Sequence, residues 1–116
     1  MKPIVAIVDD DPHLLESLQD LLESAGYDAR GFSSARSLLG SDAVSEIQCL
    51  VTDIGMPEMD GFALQRAFQE RRSDVPVILI TGNPALAEPI SSKRNRFFRK
   101  PFDSQVFLMA IAEVLS

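Results

Sequence analysis

The feature that most constrains this chain is a recurring pattern, a short unbroken apolar run that stops at a polar side chain. Ile4-Val5-Ala6-Ile7-Val8 stops at Asp9-Asp10-Asp11, Cys49-Leu50-Val51-Thr52 at Asp53, and Val77-Ile78-Leu79-Ile80 at Thr81-Gly82. Runs of this length, rich in β-branched residues and without polar alternation, read as strands buried on both faces. That is the environment of a parallel sheet, and a parallel sheet needs crossover connections between its strands.

The intervening segments supply them. Asp11-Pro12 offers a helix cap followed by proline at the first helical position, and Leu14, Leu15, Leu18, Leu21, Leu22 and Ala25 recur at helical spacing up to Gly26. A weaker extended piece over residues 29 to 32 follows, then a short helix from Ser33 or Ser34 with Leu38, Leu39 and a stop at Gly40. Asp60-Gly61 opens a third helix to Arg71 or Arg72, expected to bury Phe62, Ala63, Ala67 and Phe68. Residues 83 to 96 hold Pro84 and Pro89 and no sustained apolar stripe, so a fourth helix there is predicted to be short or distorted. Phe97-Phe98-Arg99-Lys100-Pro101-Phe102 reads as a short fifth strand, and Asp103 caps a last helix carrying Val106, Phe107, Ala110, Ile111, Val114 and Leu115.

Strand and helix thus alternate about five times, which argues for an α/β domain with a doubly wound parallel sheet covered on both faces. Right-handed crossovers leave few ways to order the strands. The 116 residues have no internal repeat, low-complexity tract or linker, so residues 1–116 are expected to form one domain. A formal charge of −6 argues against coating nucleic acid, which needs a broad basic face. The single cysteine, Cys49, can form no internal disulfide and reads as a small buried strand residue. With no signal-peptide pattern and no apolar stretch near the ~20 residues a membrane span requires, a cytoplasmic protein is expected.

In open sheets of this kind the ligand lies beyond the carboxyl ends of the strands, where the winding direction reverses. Asp9, Asp10, Asp53 and Thr81 follow strand ends there, and Lys100 follows the fifth. Carboxylates brought together in one crevice repel unless a cation joins them, and Mg²⁺, a hard ion that takes oxygen ligands, answers that need. Lys100 and Thr81 would add a positive charge and a hydroxyl for phosphoryl oxygens, and a carboxylate can be the nucleophile of phosphoryl transfer.

At this point the sequence resembles the receiver domain of two-component response regulators over essentially all of its length. The residues that carry the resemblance are Val8-Asp9-Asp10, Thr52-Asp53-Ile54-Gly55-Met56-Pro57, Asp60-Gly61, Ile80-Thr81-Gly82 and Lys100-Pro101-Phe102, in that order. The resemblance implies a flavodoxin-like five-stranded sheet of order 2-1-3-4-5 and Asp53 as phosphoacceptor. It implies Asp9, Asp10, Asp53 and the Gly55 carbonyl as Mg²⁺ ligands, Thr81 and Lys100 as phosphoryl contacts, Thr81 and Phe97 as the switch pair, and a cis Lys100-Pro101 bond. The implied partners are a sensor histidine kinase or phosphotransfer protein as donor and an output domain or protein partner as reader.

Two features depart from the family pattern. Thr81 and Lys100 are 19 positions apart, a few short, with the missing length in residues 83 to 96, and Gly55 lacks the side chain that often stands two places after the phosphoacceptor. Other readings remain beside the leading one. The chain can be an interaction module that is not phosphorylated, or a haloacid-dehalogenase-type phosphatase with Asp9 as nucleophile, which would leave Asp53 idle. A flavodoxin-like cofactor binder lacks the phosphate loop it needs after the first strand. Asp11 reads as a helix cap, His13 as a surface residue of the first helical turn, and Phe97 equally well as plain core. The basic cluster Lys93, Arg94, Arg96, Arg99 and Lys100 suits a protein-docking face or a solvated loop better than nucleic acid, given the overall charge.

Overall fold

The structure, a computed structural model, describes residues 2–56, 58–82, 96–100 and 102–116. Five parallel strands, β1 (Ile4–Val8), β2 (Asp28–Phe32), β3 (Cys49–Asp53), β4 (Val77–Thr81) and β5 (Arg96–Arg99), form one sheet in the order β2-β1-β3-β4-β5. The described helices are α1 (Pro12–Ser24), α2 (Ala35–Leu39), α3 (Gly61–Arg71) and α4 (Ser104–Leu115), with an unanticipated 3₁₀ turn at Asp42–Ser45 before β3. The segment expected to hold a distorted helix after β4, residues 83–95, lies outside the described residues, as does Pro101 of the expected cis bond.

The central strands explain the layering. Side chains of a strand alternate between faces, and β1 and β3 send Val5, Ile7, Cys49 and Val51 to one side, against Leu18 and Leu22 of α1 and Phe107 and Ile111 of α4. Ala6, Val8 and Leu50 go to the other side, against Ala35 and Leu38 of α2 and Leu64 and Phe68 of α3. Burial on both faces is why these strands read as continuous apolar runs. Phe98, Phe102 and Phe107 close one end of the first layer, with ring centroids 5.2–5.8 Å apart.

Helix starts follow the local chemistry read from the sequence. Asp11 accepts from the His13 and Leu14 amides, Asp60 from Ala63, and Asp103 from Gln105 and Val106, so each satisfies amides that a helix N-terminus leaves unpaired. At the far end of α1, Gly26 takes φ +95° while Tyr27 N–H reaches back to the Leu22 carbonyl at 3.0 Å, a left-handed terminator that glycine adopts without strain.

Three details differ from the sequence reading. β5 ends at Arg99, short of the expected Phe102, with Lys100 N–H still bonded to the Thr81 carbonyl at 2.7 Å. Val106 of α4 is 52% exposed, since Phe107, Ala110 and Ile111 define the inward face. In α3 the inward stripe is Gly61, Leu64 and Phe68, while Phe62, Ala63 and Ala67 are half-buried. The reason is Gly61, which packs on the end of β3 so closely that a Cβ there would stand 2.5 Å from the Asp53 carbonyl oxygen and 2.7 Å from Ile54 Cα. That contact sets the rotation of α3.

Both of those neighbours are backbone and cannot move aside. Gly61→Ala is therefore expected to cost about 1–3 kcal/mol through overpacking, although alanine is the better helix former. A thermal midpoint equal to that of the wild type in circular dichroism would refute this account of α3.

Candidate functional site

The register of β1 on β3 pairs Val8 with Thr52, so the next residues, Asp9 and Asp53, come to lie side by side where the strands end. Their parity sends them to the α1/α4 side, in line with Val5 and Ile7 on one strand and Cys49 and Val51 on the other. Asp9 is fully buried and Asp53 is 7% exposed, whereas Asp10 is exposed. Each of the three can place one carboxylate oxygen within 4.8 Å of the others, the arrangement required of a shared cation site.

Lys100 reaches into this group from the end of β5. Its Nζ stands 3.5 Å from Asp9 Oδ2 and 3.4 Å from Asp53 Oδ2, so one ammonium faces two buried carboxylates. The remaining oxygens are held by backbone: Asp11 N–H donates to Asp9 Oδ1 at 2.8 Å, and Gly55 N–H to Asp53 Oδ1 at 3.2 Å. Burial pushes the Asp9 carboxyl above its usual value of 3.8; the Asp11 amide and Lys100 oppose the shift, and the charge of Asp53 adds to it.

The donor set fits a hard divalent cation. All its members are oxygens, the negative charge exceeds what Lys100 offsets, and the exposed Asp10 edge leaves room for water ligands. Asp9, Asp10 and Asp53 are the side chains that could hold the ion. Gly55 is exposed in the loop after β3, where a Cβ would meet nothing within 4 Å.

Thr81 ends β4 one step beyond Ile80, which pairs with Asp53, and its side chain is buried. Phe97 pairs with Leu79 two positions back from Thr81, so by the alternation of parallel strands it shares the face of Thr81, and it packs half-buried against the α2/α3 layer. His13 is exposed, and its amide donates to Asp11. Cys49 is fully buried, which pushes its thiol up to about 12 and leaves it without thiolate chemistry. Asp11 is engaged as a cap, and Asp53, idle under the phosphatase reading, belongs to the acidic group. Of the basic cluster, Lys100 turns into the site and Arg99 is exposed, while Lys93 and Arg94 fall outside the described residues.

Two residues that build the site, Gly61 and Thr52, stand within the motifs that carry the resemblance but were given no part in the site itself. Gly61 sits against the Asp53 backbone, and Thr52, fully buried, donates its hydroxyl to the Asp53 carbonyl at 3.1 Å. The signals were present as a glycine following a helix cap and a polar residue closing an otherwise apolar strand.

Comparison with known proteins agrees with this geometry. The family model of the response regulator receiver domain matches residues 5–112. The response regulator protein TmoT of Ectopseudomonas mendocina is 36% identical over 115 residues, covering 97% of this chain and 52% of that protein. The transcriptional regulatory protein FixJ of Azorhizobium caulinodans is 33% identical over 110 residues, covering 92% of this chain and 52% of that one. The chain thus spans about half the length of these relatives. Among solved structures, the signal receiver domain of an HD domain-containing protein from Pseudomonas fluorescens Pf-5 superposes with a TM-score of 0.87 at 28% identity, covering 99% of this chain and 95% of that one. With parallel strands in the order 2-1-3-4-5, an acidic group at their carboxyl ends and a family match over nearly its whole length, this chain belongs to the response regulator receiver domains of two-component signalling.

Proposed function

We propose that residues 1–116 form one receiver domain in which Asp53 accepts a phosphoryl group from a phosphohistidine on a sensor histidine kinase or phosphotransfer protein. The observation that carries this reading is the placement of Asp53 beside Asp9 with Lys100 Nζ within 3.5 Å of both. Asp53 Oδ2 faces the lysine while Oδ1 is tied to the Gly55 amide, so the carboxylate has a fixed orientation. In the transfer a carboxylate oxygen forms the new bond to phosphorus as the nitrogen–phosphorus bond breaks, and the departing imidazole keeps the electron pair and takes up a proton.

Asp9, Asp10 and Asp53 would hold Mg²⁺, with the Gly55 carbonyl as a further ligand. When bound, the ion supplies charge neutralisation for the carboxylates and the incoming phosphoryl oxygens. Lys100 contributes a second positive charge to those oxygens, and the Thr81 hydroxyl a hydrogen-bond donor. An acyl phosphate at Asp53 carries a charge of about −1.5 to −2, as other phosphorylated side chains do, in place of the −1 of the carboxylate. Thr81 is drawn toward it and Phe97, on the same face of the sheet, follows, which biases a surface between two states. Reading of that surface falls to an output domain or protein partner, and the domain works in the cytoplasm as a signalling module that assists its own phosphorylation and dephosphorylation.

The direct test is intact mass after incubation with Mg²⁺ and phosphoramidate. A single phosphoryl adduct is expected, absent in chelator and absent in Asp53→Asn. An adduct that survives Asp53→Asn and disappears in Asp9→Asn would point to phosphatase chemistry instead. No adduct on a folded, Mg²⁺-binding protein would favour an interaction module that is not phosphorylated.

A second expectation concerns stability. The folded protein holds the Asp9 proton more tightly than the unfolded chain does, so ionisation costs stability as pH rises from 3.8 through the raised folded value, and the full cost is present at neutral pH. Asp9→Asn leaves Lys100 its second partner, Asp53, and is expected to raise the thermal midpoint by a few degrees in chelator while abolishing the stabilisation that Mg²⁺ gives the wild type. A midpoint that falls in chelator, or that still rises with Mg²⁺, would contradict the assignment.

A further inference from the structure

Thr52 carries a fully buried hydroxyl in the central strand, and no step of the transfer described above uses it. It stands between Leu50 and Ile54 in the alternation of β3, so its side chain enters the layer beneath α2 and α3, on the face opposite the carboxylates. A hydroxyl in so apolar a layer needs a partner, and its Oγ1 donates to the Asp53 carbonyl at 3.1 Å. The same peptide unit is tied at its other end, where Ile54 N–H donates to the Ile80 carbonyl at 2.8 Å. Gly61 presses on that carbonyl oxygen as well, close enough that a Cβ would stand 2.5 Å away. Two residues on, Gly55 N–H holds the Asp53 carboxylate itself at 3.2 Å.

We infer that Thr52 is a positioning residue for the chemistry of Asp53: its hydroxyl, bonded to the Asp53 carbonyl from the opposite face of the sheet, locks the peptide plane from which the carboxylate hangs. The inference rests on Asp53 being the phosphoacceptor. A nucleophile held in one orientation spends more of its time in reactive geometry, whereas one whose peptide plane rocks must reach that geometry at each attempt. Packing alone assigns Thr52 a different role, because valine fills the same volume and lacks only the hydroxyl, while serine keeps the hydroxyl and lacks a methyl group.

The two roles order the variants oppositely. Wild type, Thr52→Val and Thr52→Ser are incubated with Mg²⁺ and varied phosphoramidate, adduct formation is followed by intact mass, and thermal midpoints are recorded alongside. With a positioning hydroxyl, Thr52→Val loses about three- to tenfold in the saturating rate, the factor a single hydrogen bond supplies, with the half-saturating donor concentration unchanged. Thr52→Ser stays within about twofold of wild type in rate although its missing methyl makes it the less stable of the two. A Thr52→Val protein as fast as wild type, or a Thr52→Ser protein slower than Thr52→Val, overturns the inference while leaving Asp53 as phosphoacceptor intact. A wild type that forms no adduct at Asp53 removes the phosphoacceptor reading and the positioning role with it, and that failure appears before any substitution at position 52. Should Thr52→Val not fold, Thr52→Ser against Thr52→Ala carries the same test, since both lack the methyl and only serine keeps the hydroxyl; equal rates then overturn it.

Discussion

Two carboxylates buried side by side at the ends of adjacent parallel strands, with one ammonium facing both, are the constraint on which this domain is organised. Asp9 and Asp53 meet because β1 and β3 run parallel in one register and because side chains on a strand alternate in direction. Lys100 meets them from the other edge of the central strands, held by its own backbone bond to the end of β4. Burial, with the charge of Asp53 adding to it, raises the Asp9 carboxyl, so keeping it ionised costs the fold stability. A pair of buried carboxylates that costs folding energy is suited to recognising a cation, because the positive charge offsets both their burial and their repulsion.

The rest of the molecule supplies the stability that this site consumes. Two apolar layers, one under α1 and α4 and one under α2 and α3, enclose the central strands so completely that Val5 to Val8 and Cys49 to Val51 are without exposed surface. The site occupies the place where these layers stop and the strands give way to loops. Helix α3 is coupled to it directly, because Gly61 rests on the Asp53 backbone, and the hydroxyl of Thr52 reaches the same carbonyl from within the second layer. The acidic group is therefore seated on backbone that is braced on several sides.

Aspartate serves two purposes here, and the local sequence separates them well. Asp11, Asp60 and Asp103 each stand immediately before a helix and accept from its first amides, a role legible from Pro12 after Asp11 and from the apolar spacing that follows each residue. Asp9 and Asp10 are successive carboxylates directly after a buried strand, poor turn chemistry without a cation, and Asp53 closes another such strand, so with the other motifs all three read as site candidates. The face of α3 was not legible in the same way. Its periodicity was compatible with burying Phe62 and Ala67, and the rotation that buries Leu64 instead is set by a close approach to another element. The end of β5 was likewise not set by the aromatic content of the segment, since the strand stops at Arg99 before Phe102.

The sequence by itself determined the fold class, the strand and helix alternation, the helix caps, and the identity of the side chains at the carboxyl end of the sheet, because each of these follows from short-range pattern: apolar runs, helical spacing, and the chemistry of the residue at an element's end. Only the tertiary structure decided that Asp9 and Asp53 are both buried while Asp10 is exposed, that Lys100 spans the two, and that Thr52 and Gly61 brace the Asp53 backbone. These depend on strand register and on contacts between residues far apart in the chain, where a shift of one position would send a side chain to the opposite face.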